Sequence, residues 1–104
     1  MRAAQIFIHG ELAGRLEGLE PGKRYRFAYE PDYNAPPISL TLPTTTREYW
    51  FDRFPPFFDG LLPEGVMLEG LLKQIKIDKN DYFGQLLAVG GDLVGAVTVK
   101  EASE

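Results

Sequence analysis

Residues 23–30, with the sequence KRYRFAYE, constrain the fold most, because apolar and charged side chains alternate along them. Tyr25, Phe27 and Tyr29 fall on one side of an extended chain, and Arg24 and Arg26 fall on the other. A period of two is typical of a strand with one buried face. The segment therefore predicts a half-buried β-strand.

Further strands are predicted on both sides of this segment. Residues 4–9 and 12–17 form a hairpin around His9-Gly10, since glycine takes positive φ freely and histidine tolerates it in a type I′ turn. Pro21-Gly22 suits a type II turn before the next strand. Residues 38–43, ISLTLP, alternate again, which predicts a strand with Ile38, Leu40 and Leu42 on one face.

The second half of the chain changes period. Residues 64–76 place an apolar stripe at helical spacing, which predicts an amphipathic helix whose glycines, Gly65 and Gly70, leave it dependent on tertiary packing. That stripe consists of Leu68, Leu71, Leu72 and Ile75. Residues 82–89 predict a second helix, capped by Asn80 or Asp81 and ended by Gly90-Gly91 in the left-handed conformation.

Residues 95–100, GAVTVK, complete the pattern as a returning strand. The sequence thus predicts an α+β fold: a small antiparallel β-sheet of about four to five strands with two short helices. A chain of 104 residues suffices for one domain, so we expect residues 1–104 to form one, with its core at about residues 4–99.

Composition excludes several classes of function. Cysteine is absent, which rules out disulfides and thiol chemistry, and the net charge of −4 without basic clusters predicts no direct nucleic-acid binding. The N-terminus has no signal-peptide pattern, and no apolar run reaches the roughly 18 residues of a membrane span. We therefore expect a cytoplasmic protein that does not bind membranes.

Residues for catalysis, cofactors or metals are not predicted. The single histidine, His9, lies in a turn, and neither phosphate-binding glycine pattern occurs. Residues 78–84 resemble a calcium loop but place Tyr82 and Phe83 where a ligand and a glycine are required. Asp59 and Glu64 lack a nearby nucleophile or oxyanion donor. The sequence favours a binding module rather than an enzyme.

Three ordered motifs carry a resemblance to a known family. ISLTLP, FFDGLLPEG and GGDLVGAVTV resemble the N-terminal subdomain of HipA-type serine/threonine kinases, as does the opening hairpin. The matching residues are Pro37, Ser39, Leu40, Leu42 and Pro43, then Phe57, Phe58, Asp59, Leu61, Leu62, Pro63 and Glu64, then Gly91, Asp92, Val94, Gly95, Ala96 and Val97.

This chain lacks the kinase body that follows the subdomain in HipA-type proteins, so it also resembles the HipS-type antitoxins of tripartite HipBST toxin–antitoxin systems. The resemblance implies two protein partners. One is a HipT-type serine/threonine kinase toxin that phosphorylates an aminoacyl-tRNA synthetase, and the other is a HipB-type helix-turn-helix protein in a ternary complex.

The aromatic segment around Trp50 supplies the candidate partner-binding site. Trp50 and its neighbours are expected in a surface loop beside two arginines, and Trp, Tyr and Arg are the residue types enriched at binding hot spots. Burial in the domain's own core is the alternative, and it is favoured for Phe58 and Leu62. The candidate residues are Tyr49, Trp50, Phe51, Arg53, Phe54, Phe57, Asp59, Leu61 and Glu64.

Several other functions remain open at this level. The chain could be a non-inhibitory scaffold that completes a HipA-type kinase or links it to HipB, or a subdomain excised from a longer kinase. A small enzyme or ligand-binding domain would need a concave site with perturbed titratable groups. Direct DNA binding is disfavoured by the charge and by the absence of a recognition-helix pattern.

Overall fold

The computed structural model describes residues 2–20, 22–91, 93 and 96–102, apart from the side chains of Val66 and Ile75. It confirms the α+β architecture, with one antiparallel sheet in the strand order β4-β3-β2-β1-β5. A third helix, a single turn, was not predicted. The elements are β1 (Arg2–Ile8), β2 (Glu11–Glu20), β3 (Arg24–Tyr29), β4 (Glu48–Phe51), α1 (Pro56–Asp59), α2 (Gly65–Ile75), α3 (Tyr82–Val89) and β5 (Val97–Glu101).

The predicted turns are found where the structure describes them. His9 and Gly10 have φ angles of 49° and 80°, the positive values that a type I′ hairpin requires, and they join β1 to β2. Gly22 has a φ of 73°, as a type II turn needs, whereas Pro21 lies outside the described residues. The first three strands therefore follow directly from local turn chemistry.

The core lies between the inner face of the sheet and the helical half of the chain. The aromatic side chains of β3 are buried there, as the alternation predicted, and the ring of Phe27 lies 5.7 Å from that of Phe58. Burial of Phe58 and Leu62 confirms their assignment to the core. α1 begins at Pro56, where proline is tolerated because the first helical turn needs no N–H donor, and it delivers Phe58 to the core.

The strand predicted at residues 38–43 is wrong, since the segment forms bends and a turn. The backbone N–H of Leu42 donates to the Ser39 carbonyl at 3.1 Å, which reverses the chain. Tyr29 fixes the segment, because its hydroxyl donates to the Leu42 carbonyl and accepts from the Ile38 N–H. As a result Ile38 and Leu42 are buried, whereas Leu40 is 93% exposed.

The two predicted helices are confirmed, but the predicted end of α3 is not. Gly90 has a right-handed φ of −54°, and Gly91 also lacks the left-handed conformation. Glycine is needed at position 90 for space, because a Cβ there would collide with the Val99 backbone of β5. The Val99 N–H donates to the Gly90 carbonyl at 2.9 Å, so α3 is joined to the sheet. Asp92, Val94 and Gly95 of the third motif lie outside the described residues.

Within the described part of the chain, no helix is long and apolar enough to span a membrane. The same residues contain no group of three or more His, Cys, Asp or Glu side chains arranged to hold a metal ion.

Candidate protein-binding site

The aromatic segment begins as a strand and not as the expected surface loop. β4 pairs with β3 at the edge of the sheet, with Trp50 opposite Arg26 and Phe51 opposite Tyr25. Residues opposite each other in antiparallel strands share a face, so Phe51 turns toward the core and Trp50 toward the outer face. The sequence missed this strand because four residues give too short an alternation to detect.

Trp50 is an exposed aromatic residue on a charged surface. Its side chain is 49% exposed, and the guanidinium groups of Arg24 and Arg26 lie 4.8 Å and 5.9 Å from its ring centroid. The indole Nε1 donates to Glu48 Oε1 at 2.7 Å. These contacts fix the orientation of the ring while leaving much of its surface accessible.

The charges around the indole form a network across three strands. Arg26 donates to Glu48 on β4 at 2.6 Å and to Glu17 on β2 at 3.0 Å. The hydrogen bonds from Arg26 and then from Trp50 lower the pKa of Glu48, and the bond to Glu48 raises the pKa of Arg26. Because the lowered pKa keeps Glu48 ionised, it holds Trp50 until the pH falls through that lowered value.

Other candidate residues are held by the domain itself. Phe54 is buried, with its ring edge-on to Tyr25 at 5.5 Å, so the expectation that it lies in an exposed loop is wrong. Phe57 and Leu61 are half-buried and pack against the core cluster. Tyr49 is also half-buried, and its hydroxyl donates to the Pro43 carbonyl at 2.6 Å.

The three charged candidates, Arg53, Asp59 and Glu64, are exposed. The described contacts of Trp50 are with Arg24, Arg26 and Glu48, and none of them involves these three residues. The charged residues that contact Trp50 are therefore Arg24, Arg26 and Glu48, and not the acidic candidates Asp59 and Glu64.

Two features of the surface escaped the sequence analysis. Arg24 and Arg26 were assigned to the polar face of β3, but their stacking on Trp50 depends on the undetected strand β4. Leu40 was placed on an apolar strand face and is instead fully presented to solvent. Pro43 and the run of threonines after it were the available signals that this segment turns.

A cavity of about 510 Å³ lies at the Tyr25 end of β3, lined by residues that include Arg2, Tyr25, Asp81 and Phe83. Arg2 and Asp81 already form an ion pair there at 2.6 Å. Tyr29 and Tyr33, whose pKa values are raised by burial, lie outside its lining.

Residues 4–100 match the HipA N-terminal domain family. The structure is also similar to a solved "N-terminal domain of HipA toxin", with a TM-score of 0.78, 30% sequence identity, and coverage of 100% of this chain and 95% of the other. The chain therefore belongs to the HipA N-terminal domain family. The similarity is to a domain that precedes the catalytic part of HipA and not to that part itself.

Relatives carry this domain in two different contexts. An "Uncharacterized protein" of Haemophilus influenzae is 33% identical, and the match covers all of this chain and 96% of that protein. "Putative kinase Y4dM" of Sinorhizobium fredii is 34% identical over 90% of this chain, but the match covers 25% of its own length. "Putative kinase Y4mE" of the same organism is 27% identical, with 24% of its length covered. The chain thus spans a whole short protein in one relative and about a quarter of two long ones.

Proposed function

We propose that this chain is a HipS-type antitoxin subunit, a cytoplasmic protein that binds and inhibits a HipT-type serine/threonine kinase and assembles with a HipB-type DNA-binding protein. It does no chemistry of its own in this proposal. The observation that carries it is the exposed Trp50, held in a fixed orientation on the edge strand β4 of a domain that is also found within longer chains named as putative kinases.

Binding in trans requires an anchor that loses little freedom on association. Two proteins that associate must offset the loss of rigid-body motion, and a side chain already fixed before binding reduces the further cost. Trp50 meets this condition, since Glu48 and Arg24 restrain its ring in the free domain. A good aromatic anchor of this kind is worth about 2–4 kcal/mol.

Charged side chains of the domain would help to orient it on the kinase. Arg24 beside the indole suits an acidic side chain of the kinase, whereas Asp59 and Glu64 suit a cleft made basic by its role in binding ATP phosphates. The apolar candidates of this segment hold it in place by packing on the core: Tyr49, Phe51, Phe54, Phe57 and Leu61. Arg53 is exposed and remains a candidate contact.

Inhibition requires that the domain binds one state of the kinase better than another. We propose that the Trp50 segment enters or borders the catalytic cleft, so that it occupies the space of substrate or stabilises an inactive arrangement. By either route, tighter binding of the domain to the kinase would lower the rate of phosphoryl transfer by the kinase.

Replacement of Trp50 by alanine tests this proposal. We expect Trp50→Ala to fold cooperatively, because an exposed cation–π contact contributes only about 0.5–1 kcal/mol. Affinity for the HipT-type kinase of the same host should fall about tenfold or more, with a matching loss of inhibition. Calorimetry and a kinase assay with and without the domain provide the measurements.

Leu40→Ala is the control, since Leu40 is also a large exposed apolar residue but lies outside β4. It should leave inhibition unchanged. A folded Trp50→Ala protein that inhibits normally would overturn the role of the indole, and a wild-type domain that binds no HipT-type kinase would overturn the function.

A non-inhibitory scaffold is the second candidate, and the coverage of a quarter of Y4dM and Y4mE favours it, because there the same domain is a structural part of a longer chain. Co-expression separates the two functions. An antitoxin restores growth to cells that express the kinase, whereas a scaffold leaves toxicity intact or increases it.

A further inference from the structure

An open groove lies beside α2. The groove has a volume of about 340 Å³ and lies between α2 and the end of α3. Its lining consists of Pro63, Met67, Gly70, Leu71, Gln74 and Val89.

The lining residues on α2 have the spacing of a helix-packing site. Met67, Gly70, Leu71 and Gln74 fall at positions i, i+3, i+4 and i+7, the set of four neighbours that forms the hole for one side chain of a facing helix. Gly70 contributes no side chain to this hole, and a Cβ built there meets nothing within 4 Å, so the space above it is open. Met67, at 76% exposed, stands at its edge.

α2 also receives little support from its own domain. Glu64 caps it without a side-chain hydrogen bond, and of its described side chains none is buried or belongs to the core cluster. A helix of 11 residues with two glycines is marginal in water unless packing stabilises it. An apolar face in this condition is typical of one that another element covers.

The relatives indicate which element that is. In the two Sinorhizobium proteins this domain accounts for 25% and 24% of the length, so most of each chain lies outside it. The family is named for an N-terminal position, so that remainder follows β5. Val89, which lines the groove, precedes Gly90, and the Gly90 carbonyl accepts from the Val99 N–H of that strand.

We infer that the α2 groove is a second docking site for the kinase, and that it takes an apolar side chain from a helix of the kinase body. This inference rests on the proposed kinase-binding function, but it concerns a contact separate from Trp50. The domain would then bind the kinase through β4 and through α2. Two contacts made together bind more tightly than either alone, so a small domain could remain bound as a separate chain.

Gly70→Leu tests the site because it fills the hole without disturbing the domain. The new side chain enters open space, and leucine favours the helix more than glycine does, so the melting temperature should not fall. We expect affinity for the HipT-type kinase, measured by calorimetry with the purified proteins, to fall about tenfold or more. Glu69→Leu is the matched control, since it adds the same side chain one position away on the polar face of α2 and should change affinity by less than about twofold.

Met67→Glu provides an independent variant, since its exposed side chain can change without loss of folding, and it should also weaken binding. A folded Gly70→Leu protein with wild-type affinity would overturn the groove and leave the Trp50 site intact. Failure of the wild-type protein to bind the kinase would overturn the proposed function instead. Sedimentation that shows a wild-type dimer broken by Gly70→Leu would also overturn the inference, because a second copy of the chain would then be the occupant.

Discussion

α2 and α3 lie close together in the sequence but depend on the domain to very different degrees. α3 is capped by the Asp81 side chain, buries Phe83 and Leu86, and is bonded to β5 through Gly90. α2 has no side-chain cap and has none of its described side chains in the core cluster.

The difference shows that amphipathic spacing alone does not reveal what a helix packs against. The stripe on α2 has the same period as an ordinary core-facing helix, yet Leu68, Leu71 and Leu72 are only half-buried. α3 is held in the domain by contacts at both of its ends as well as by its buried side chains. The comparison therefore predicts that equal substitutions in the two helices have unequal effects on stability.

The largest difference is expected for leucine truncation. Leu86 on α3 is fully buried, so Leu86→Ala should lower the free energy of unfolding by about 2–5 kcal/mol. Leu71→Ala on α2 should cost less than about 1 kcal/mol, since the half-buried residue leaves no enclosed cavity. Urea denaturation of both variants measures the two values, and equal losses would break the comparison.

Sequence reasoning succeeded where the local pattern and the packing agree. The hairpin at His9, the inner face of β3 and the start of α3 at its Asp81 cap all follow from turn chemistry or periodicity, and the structure has them as predicted. In each case the neighbouring residues along the chain contain the physical cause.

It failed where the cause lies far along the chain. The segment around Leu40 is held by the distant Tyr29 hydroxyl, and Gly90 is required by the distant Val99. Trp50 could be named as a candidate anchor, but its stacking on Arg24 depends on a strand pairing that no local pattern announces. Exposure of a side chain is likewise a tertiary property.

Alanine substitutions at Gly90 and at Gly70 should change the stability of the protein in opposite directions. Gly90→Ala should destabilise the protein by about 1–3 kcal/mol, because the added Cβ collides with the Val99 backbone and forces α3 away from β5. Gly70→Ala should stabilise it by about 0.5–1 kcal/mol, because its Cβ meets open space and alanine is the better helix former. Thermal unfolding of the two variants measures both effects, and a destabilising Gly70→Ala would mean that α2 is packed more tightly than the structure indicates.

The smallest expected effects concern the N-caps, and they test whether α2 is limited by its end or by its face. Asp81→Ala should cost about 1 kcal/mol, since the carboxylate accepts from the Gly84 N–H, whereas Asp81→Asn should keep the cap and lose only the exposed pair with Arg2. Glu64 has the extended conformation of an N-cap, with φ of −130° and ψ of 163°, so Glu64→Asp can supply the missing bond and should add about 0.5–1 kcal/mol.

Amide hydrogen exchange in α2, followed with and without the kinase, then separates the two causes of its weakness, the poor cap and the missing packing partner. If Glu64→Asp slows exchange as much as the kinase does, the poor cap accounts for the weakness of α2. If only the kinase slows it, the helix lacks a packing partner, because a cap satisfies the first backbone groups but cannot cover an apolar face.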